Sequence, residues 1–134
     1  MSFSPLDSAL YGRVFSTPEL RGLFSDAAHV ARMVEVEVAL ARSQASLELI
    51  PPEAADAIAA GTRNFMPDMD ALAAGLVGDG VPVVALLAQL RPLIAPEGRD
   101  FLHYGATTQD IVDTALVLAL RDALNLLEAD LRGS

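Results

Sequence analysis

Eight residues, from His103 to Asp110, combine side chains that can bind an anion and move a proton. They read His-Tyr-Gly-Ala-Thr-Thr-Gln-Asp and run directly into the longest apolar-periodic segment, residues 111–131. Thr107, followed three residues later by Asp110, resembles a capping box, in which a hydroxyl accepts a hydrogen bond from a first-turn N–H. Other N–H groups at that helix end are unpaired and carry a partial positive charge, roughly half an elementary charge. The sequence therefore predicts an anion site, most simply for a carboxylate, at this helix N-terminus.

Each polar residue of the octapeptide also has a purely structural interpretation. His103 suits proton transfer or stabilisation of a developing charge, but an isolated loop histidine is more often packed with its ring nitrogens satisfied. Thr107 and Thr108 could serve only as helix caps, and Gly105 could serve only to permit a positive φ angle. Gln109 has no structural role that the sequence assigns. Binding and capping therefore both stay open at this point.

Composition and periodicity predict an all-α fold that carries the octapeptide. The chain has 134 residues, 52% hydrophobic and 20% charged, so it can bury a core and is not disordered. Phe101 and Leu102 are expected to anchor the octapeptide against that core. Residues 77–81 are predicted to form a flexible turn, residues 96–100 a loop, and no strand is predicted. The predicted helices are Pro18 to Phe24, Ala27 to about Leu49, Glu53 to about Gly61, Asp68 to Leu76, Pro82 to about Leu93 and Ile111 to Leu131.

Two of these helices are apolar over most of their circumference and need neighbours on several sides. In the helix over residues 27–49, Met33 and Leu40 belong to the apolar stripe, and Glu37 is expected to lie largely outside it. In the last helix the apolar surface is too large for this chain alone to cover, so we expect neighbours from another subunit or from residues outside the chain. The polar stripe of that last helix consists of Asp110, Thr114, Arg121, Asn125, Glu128 and Arg132.

Charge and residue counts exclude several classes of protein. The net charge is −9, and the nine basic residues are dispersed arginines, which excludes a nucleic-acid surface. The chain has no cysteine, and its two histidines are far apart, so neither a thiolate site nor a metal site is predicted. Residues 1–5 lack the pattern of a signal peptide, and the charges of the last helix exclude a membrane span. We therefore expect a cytoplasmic protein without a membrane or nucleic-acid partner.

Residues 103–115 resemble the first signature region of the fumarase/aspartase superfamily, His-x-Gly-x-Thr-Ser/Thr-x-Asp leading into a long bundle helix. Residues 24–26, 36–42, 49–51 and 120–131 are similar to the branch of 3-carboxy-cis,cis-muconate cycloisomerases. Adenylosuccinate lyases share the signature, but they carry a Thr-Arg-His-Asp-Val segment where this chain has Gly-Asp-Gly-Val-Pro-Val, residues 78–83. The resemblance covers essentially the whole chain.

The resemblance implies an amino-terminal helical domain over residues 1–104, and the end of the signature loop with the first helix of the central bundle over residues 105–134. It implies that Thr107, Thr108 and Gln109 bind substrate, the two threonines through a carboxylate, and that His103 is catalytic. The implied enzyme is a homotetramer without a cofactor, with active sites assembled from three subunits.

The implied reaction interconverts a small tricarboxylate, 3-carboxy-cis,cis-muconate, and a carboxymuconolactone in protocatechuate breakdown. The superfamily's third signature region, which supplies a serine base, contains a lysine, and this chain has none. We therefore expect an amino-terminal fragment that is inactive alone. Two alternatives stay open: a fumarate-releasing lyase of the same superfamily, and a non-enzymatic helical module whose last helix binds a partner.

Overall fold

The computed structural model describes residues 8–133, and within that range the fold is all-α, as predicted, with no strand. Residues 1–5, for which the sequence predicts no signal peptide, lie outside the described range. The helices are α1 (Gly12–Phe15), α2 (Pro18–Leu23), α3 (Asp26–Ser46), α4 (Pro52–Thr62), α5 (Met69–Asp79), α6 (Val83–Leu90), α7 (Pro96–Arg99) and α8 (Thr108–Gly133), with a 3₁₀ turn at Arg91–Leu93.

The long helix α3 is the centre of the fold, because α2, α4 and α8 all pack against it. It begins where the Ser25 hydroxyl accepts a hydrogen bond from the amide of Ala28 at 3.2 Å, which caps the helix. It ends at Ser46 rather than Leu49, because Glu48 adopts a left-handed conformation with φ of 58°. The amide of Leu49 then donates to the carbonyl of Gln44 at 2.9 Å, which closes the helix end in the manner of a Schellman motif.

The core lies between α3, α4, α6 and the first half of α8. Its fully buried hydrophobic side chains come from elements far apart in sequence, so burial rather than local propensity stabilises the arrangement. The largest of them are Met33, Ile58, Val83, Leu86, Leu90, Ile94 and Ile111.

Two predicted irregular segments turn out to be helical. The loop expected over residues 96–100 contains α7, which begins with Pro96 at its first position. The prediction of a turn over residues 77–81 is also partly wrong, because α5 continues to Asp79. Gly80, whose φ is 74°, then caps the helix. The helix predicted to reach about Leu93 ends at Leu90, and a 3₁₀ turn that contains Pro92 follows it.

Helix α8 has two different apolar faces. Its buried face consists of Ile111, Ala115, Ala119 and Ala123, spaced four residues apart and turned towards the rest of the chain. The opposite side carries exposed leucines, among them Leu116, Leu120, Leu124 and Leu127. Between residues 8 and 133, no helix is long and apolar enough to cross a membrane.

Candidate functional site

The octapeptide completes the connection from α7 and begins α8, and the two residues before it anchor it to the core. Leu102 is buried in the core and Phe101 packs partly against it, which confirms the predicted anchor. The side-chain amide of Gln44 donates to the Tyr104 carbonyl at 2.6 Å, so α3 also fixes the backbone of the loop. Gly105 has a φ of 67°, the left-handed conformation that glycine adopts at least cost.

Thr107 and Asp110 form the predicted capping box. The amide and hydroxyl of Thr107 both donate to Asp110 Oδ2, at 2.8 and 3.0 Å. The Asp110 amide in turn donates to the Thr107 hydroxyl at 3.5 Å. The hydrogen bonds that Asp110 accepts from Thr107 lower the pKa of its carboxyl below the ordinary value. The bond from the Thr107 amide has the larger effect, the bond from its hydroxyl the next largest, and the charge of His103 adds a smaller one. Thr107 is therefore a cap in this structure, and its contact with substrate stays a prediction.

His103 is held by a residue that the sequence interpretation placed elsewhere. Its Nδ1 lies 2.7 Å from Oε1 of Glu37, on α3. The expectation that Glu37 lies largely outside the apolar stripe of α3 is wrong: only 1% of the residue is exposed. Glu37 stands four residues after Met33 and four before Ala41, both buried, so helical spacing places all three on one face. That spacing is the sequence signal by which Glu37 could have been found.

The Glu37–His103 pair has an uneven electrostatic environment. Burial raises the pKa of the Glu37 carboxyl, and the hydrogen bond and charge of His103 partly oppose that rise. The second carboxylate oxygen, Oε2, is buried and has no hydrogen-bond partner among residues 8–133. His103 itself is more accessible, with 15% of its side chain exposed. The pair therefore extends from the buried face of α3 to the partly exposed imidazole in the octapeptide.

The other two predicted site residues lie at the start of α8. Thr108 is its first residue, and Gln109 follows with its side-chain amide 2.5 Å from Asp113 Oδ1. The structure thus gives Gln109 a neighbour within its own helix, which the sequence did not suggest. Binding of substrate by Thr108 and Gln109 stays a prediction.

A groove of about 450 Å³ runs between α3 and the start of α8. Gly105, Ala106 and Asp110 contribute to its lining, but His103, Thr107, Thr108 and Gln109 do not. The groove is mostly apolar, so a tricarboxylate would find few polar partners in it. In the described part of the chain, no group of three or more histidine, aspartate or glutamate side chains is placed to hold a metal ion.

This chain is similar in sequence and in fold to several named enzymes. A family profile described as "Lyase" matches residues 12–133. A 3-carboxy-cis,cis-muconate cycloisomerase of Pseudomonas putida is 40% identical over 129 residues, which cover 94% of this chain and 31% of that enzyme. An N-acetyl-S-(2-succino)cysteine lyase of Enterococcus italicus is 38% identical over 125 residues, which cover 93% of this chain and 27% of that enzyme.

The fold also matches solved structures of enzymes. The crystal structure of a fumarate lyase from Mesorhizobium sp. BNC1 superposes with a TM-score of 0.81 at 47% identity, covering 88% of this chain and 28% of that one. The chain thus spans about 30% of the length of the curated relatives that it matches. Because the family match extends over nearly all of the described residues, the chain belongs to the Lyase family, the fumarase/aspartase superfamily whose signature its octapeptide resembles.

Proposed function

We propose that this chain forms the amino-terminal part of a 3-carboxy-cis,cis-muconate cycloisomerase of protocatechuate degradation. The observation that carries the proposal is the 40% identity to the Pseudomonas putida cycloisomerase over 94% of the chain. In the proposed reaction a carboxylate oxygen of the substrate adds to a carbon–carbon double bond. The carbon next to another carboxylate then gains a proton, and a carboxymuconolactone results.

The start of α8 supplies the electrostatics that this reaction needs. The addition places negative charge on the carbon beside a carboxylate, and that carboxylate delocalises the charge as a dianion. Thr108 is the first residue of α8, where unpaired N–H groups and the helix dipole favour negative charge. Groups that bind the dianion more strongly than the ground-state carboxylate lower the barrier. We assign carboxylate binding to Thr107 and Thr108, a further substrate contact to Gln109, and the catalytic role to His103.

The complete enzyme, in this proposal, is a homotetramer whose central bundle begins at about residue 105. Support comes from α8, whose outward leucines are exposed: Leu124, for example, has 64% of its surface accessible. Contiguous exposed apolar surface of this kind is typical of an interface. The homotetramer would bring further segments to the site, and we expect the 134-residue chain alone to be inactive. Lactonisation by that chain alone would contradict this expectation.

A second candidate is a lyase that releases fumarate from a succinyl adduct. It is favoured by the 38% identity to the N-acetyl-S-(2-succino)cysteine lyase and by the structural likeness to the Mesorhizobium fumarate lyase. The chemistry shares its central step, because proton abstraction beside a carboxylate followed by elimination passes through the same dianion. The start of α8 therefore serves either reaction, and only the substrate separates them.

The test uses the complete enzyme as wild type and with His103→Ala or Thr108→Ala. Turnover of 3-carboxy-cis,cis-muconate is followed by loss of diene absorbance. We expect wild-type turnover, and a loss of roughly 100-fold or more in kcat/KM for each variant, the usual size for a positioned acid–base group or an anion-binding donor. Two variants serve as matched controls. His29→Ala removes the other histidine. Thr17→Ala removes another helix cap, in which the Thr17 hydroxyl accepts a hydrogen bond from the amide of Leu20 at 3.2 Å.

The outcomes separate the candidates. No turnover of carboxymuconate, together with fumarate release from a succinyl adduct, would replace the cycloisomerase with the lyase. Turnover that survives both His103→Ala and Thr108→Ala would mean that the octapeptide serves only to cap α8.

A further inference from the structure

The geometry points to Glu37 as a positioning residue that fixes the ring orientation and tautomer of His103. This inference rests on the proposed function in assigning His103 to the active site. Glu37 lies on α3, 66 residues before His103, and the 2.7 Å hydrogen bond between them joins two separate elements at the octapeptide. When Glu37 is ionised its carboxylate only accepts hydrogen bonds, so Nδ1 then carries the hydrogen and Nε2 is the ring nitrogen without it.

The burial of Glu37 makes a purely stabilising role costly. A carboxylate whose side chain has no exposed surface is costly unless both oxygens are satisfied. Here Oε1 contacts His103, whereas Oε2 has no partner among the described residues. A hydrophobic side chain of similar volume would fill this position on the buried face of α3 without that cost. What the carboxylate adds is an acceptor aimed at the imidazole.

The backbone of His103 supports the same conclusion. Its φ of 63° is a left-handed conformation, which is uncommon for residues other than glycine, although histidine adopts it more often than most. Such a conformation persists only where surrounding contacts determine it, and it is concentrated at functional sites. The contact to Glu37 and the buried neighbour Leu102 are the restraints that the structure provides. The fold thus holds both the backbone and the ring of His103.

The first experiment reads the tautomer directly. The chain has two histidines, so ¹⁵N-histidine labelling gives two imidazoles, and His29→Gln assigns them. At a pH where the rings are neutral, we expect His103 to carry its hydrogen on Nδ1 in wild type. Glu37→Met keeps the volume and removes the acceptor, so the hydrogen should move to Nε2, the form favoured in water. Glu37→Gln keeps an oxygen at this position and should retain Nδ1–H.

The second experiment measures kcat and KM of the complete enzyme on its substrate. Glu37→Met should lower kcat by about 100-fold with little change in KM, because a positioned acid–base histidine contributes about 10²–10⁴-fold and loses that in the wrong tautomer. Glu37→Gln should recover part of the loss. Glu35→Met is the matched control, since Glu35 is exposed on the same helix two residues earlier, and it should leave both constants unchanged.

The two readouts keep this inference separate from the proposed function. A tautomer that stays on Nδ1 in Glu37→Met, or a kcat that matches the Glu35→Met control, would overturn the positioning role. An enzyme that acts on a succinyl adduct instead of carboxymuconate, yet shows the tautomer change and the loss of kcat, would overturn the cycloisomerase and retain Glu37. If Glu37→Met does not fold, Glu37→Gln provides the test. The inference is refuted if Glu37→Gln has the same kcat as the Glu35→Met control while His103 carries its hydrogen on Nε2.

Discussion

Two glycines at matched helix positions provide a quantitative test of the packing. Gly61 is the tenth of eleven residues in α4, and Gly78 is the tenth of eleven in α5. A Cβ at Gly61 would lie 2.6 Å from the Leu93 carbonyl oxygen and 3.0 Å from Cα of Ile94, both backbone atoms of the segment after α6. A Cβ at Gly78 would meet no atom within 4 Å. The methyl group of an alanine therefore has space at Gly78 and is obstructed by backbone at Gly61.

The magnitude follows from the difference between the two variants. Alanine in place of helical glycine gains about 0.5–1 kcal/mol of stability, somewhat less near a helix end. That gain is common to Gly61→Ala and Gly78→Ala and cancels when they are compared. The remaining difference is the cost of moving backbone away from the new methyl group, about 1–3 kcal/mol for an overpacked site. Gly78→Ala should thus be slightly more stable than wild type, and Gly61→Ala less stable than Gly78→Ala by that amount.

The assay is urea unfolding of the 134-residue chain, followed by far-ultraviolet circular dichroism. Equal slopes for the three proteins would show that the midpoints report stability rather than a change in the denatured state. Thermal midpoints should separate by about 4 °C for each kcal/mol in a chain of this size. A Gly61→Ala chain as stable as Gly78→Ala would refute the close contact between α4 and the Leu93–Ile94 backbone.

Two further predictions concern the octapeptide. Gly105→Ala should lower the free energy of unfolding by about 1–2 kcal/mol, because the φ of 67° is strained for alanine, whereas the added Cβ would lie 4.0 Å from the nearest atom and would not clash. Gly105→Asn should lower the free energy of unfolding by less. Equal urea midpoints for wild type and the two variants would contradict this prediction. Asp110→Asn tests the lowered pKa: the stability that the Asp110 carboxylate provides is present above its unfolded value of 3.8 and is lost as pH falls through the lower folded value. The difference in unfolding free energy between wild type and Asp110→Asn should therefore shrink below pH 3.8, and a constant difference would refute the assignment.

The helix starts were predictable because local side chains determine them. Thr17 and Ser25 each accept a hydrogen bond from the amide three residues later, and Pro52 begins α4 at a position where its missing N–H costs nothing. The helix within residues 96–100 was harder to predict from the sequence, because Gly98 suggests a flexible loop. In the structure Gly98 serves packing instead: a Cβ there would lie 2.9 Å from the Ala57 Cβ, so only glycine lets α7 approach α4 this closely.

The partner of His103 could not be derived from the octapeptide. The spacing from Met33 to Ala41 places Glu37 on the buried face of α3, but a lone carboxylate on such a face contradicts the rule that charges stay exposed unless paired. The contradiction resolves only when a loop 66 residues further along the chain brings an imidazole to that carboxylate. Sequence periodicity identifies the face, and tertiary structure supplies the reason why a glutamate belongs on it.

Helix α8 shows why the sequence could predict an apolar helix without predicting its contacts. Both of its faces are apolar, so periodicity cannot say which one this chain covers. The structure selects the face of small residues, Ala115, Ala119 and Ala123, because alanines allow the neighbouring helices to approach closely. The salt bridge from Arg32 on α3 to Asp122, at 3.2 Å, fixes the same rotation of α8. That rotation also sets where the capping box and Thr108 point, so the alanine face of α8 positions the proposed carboxylate site at its start.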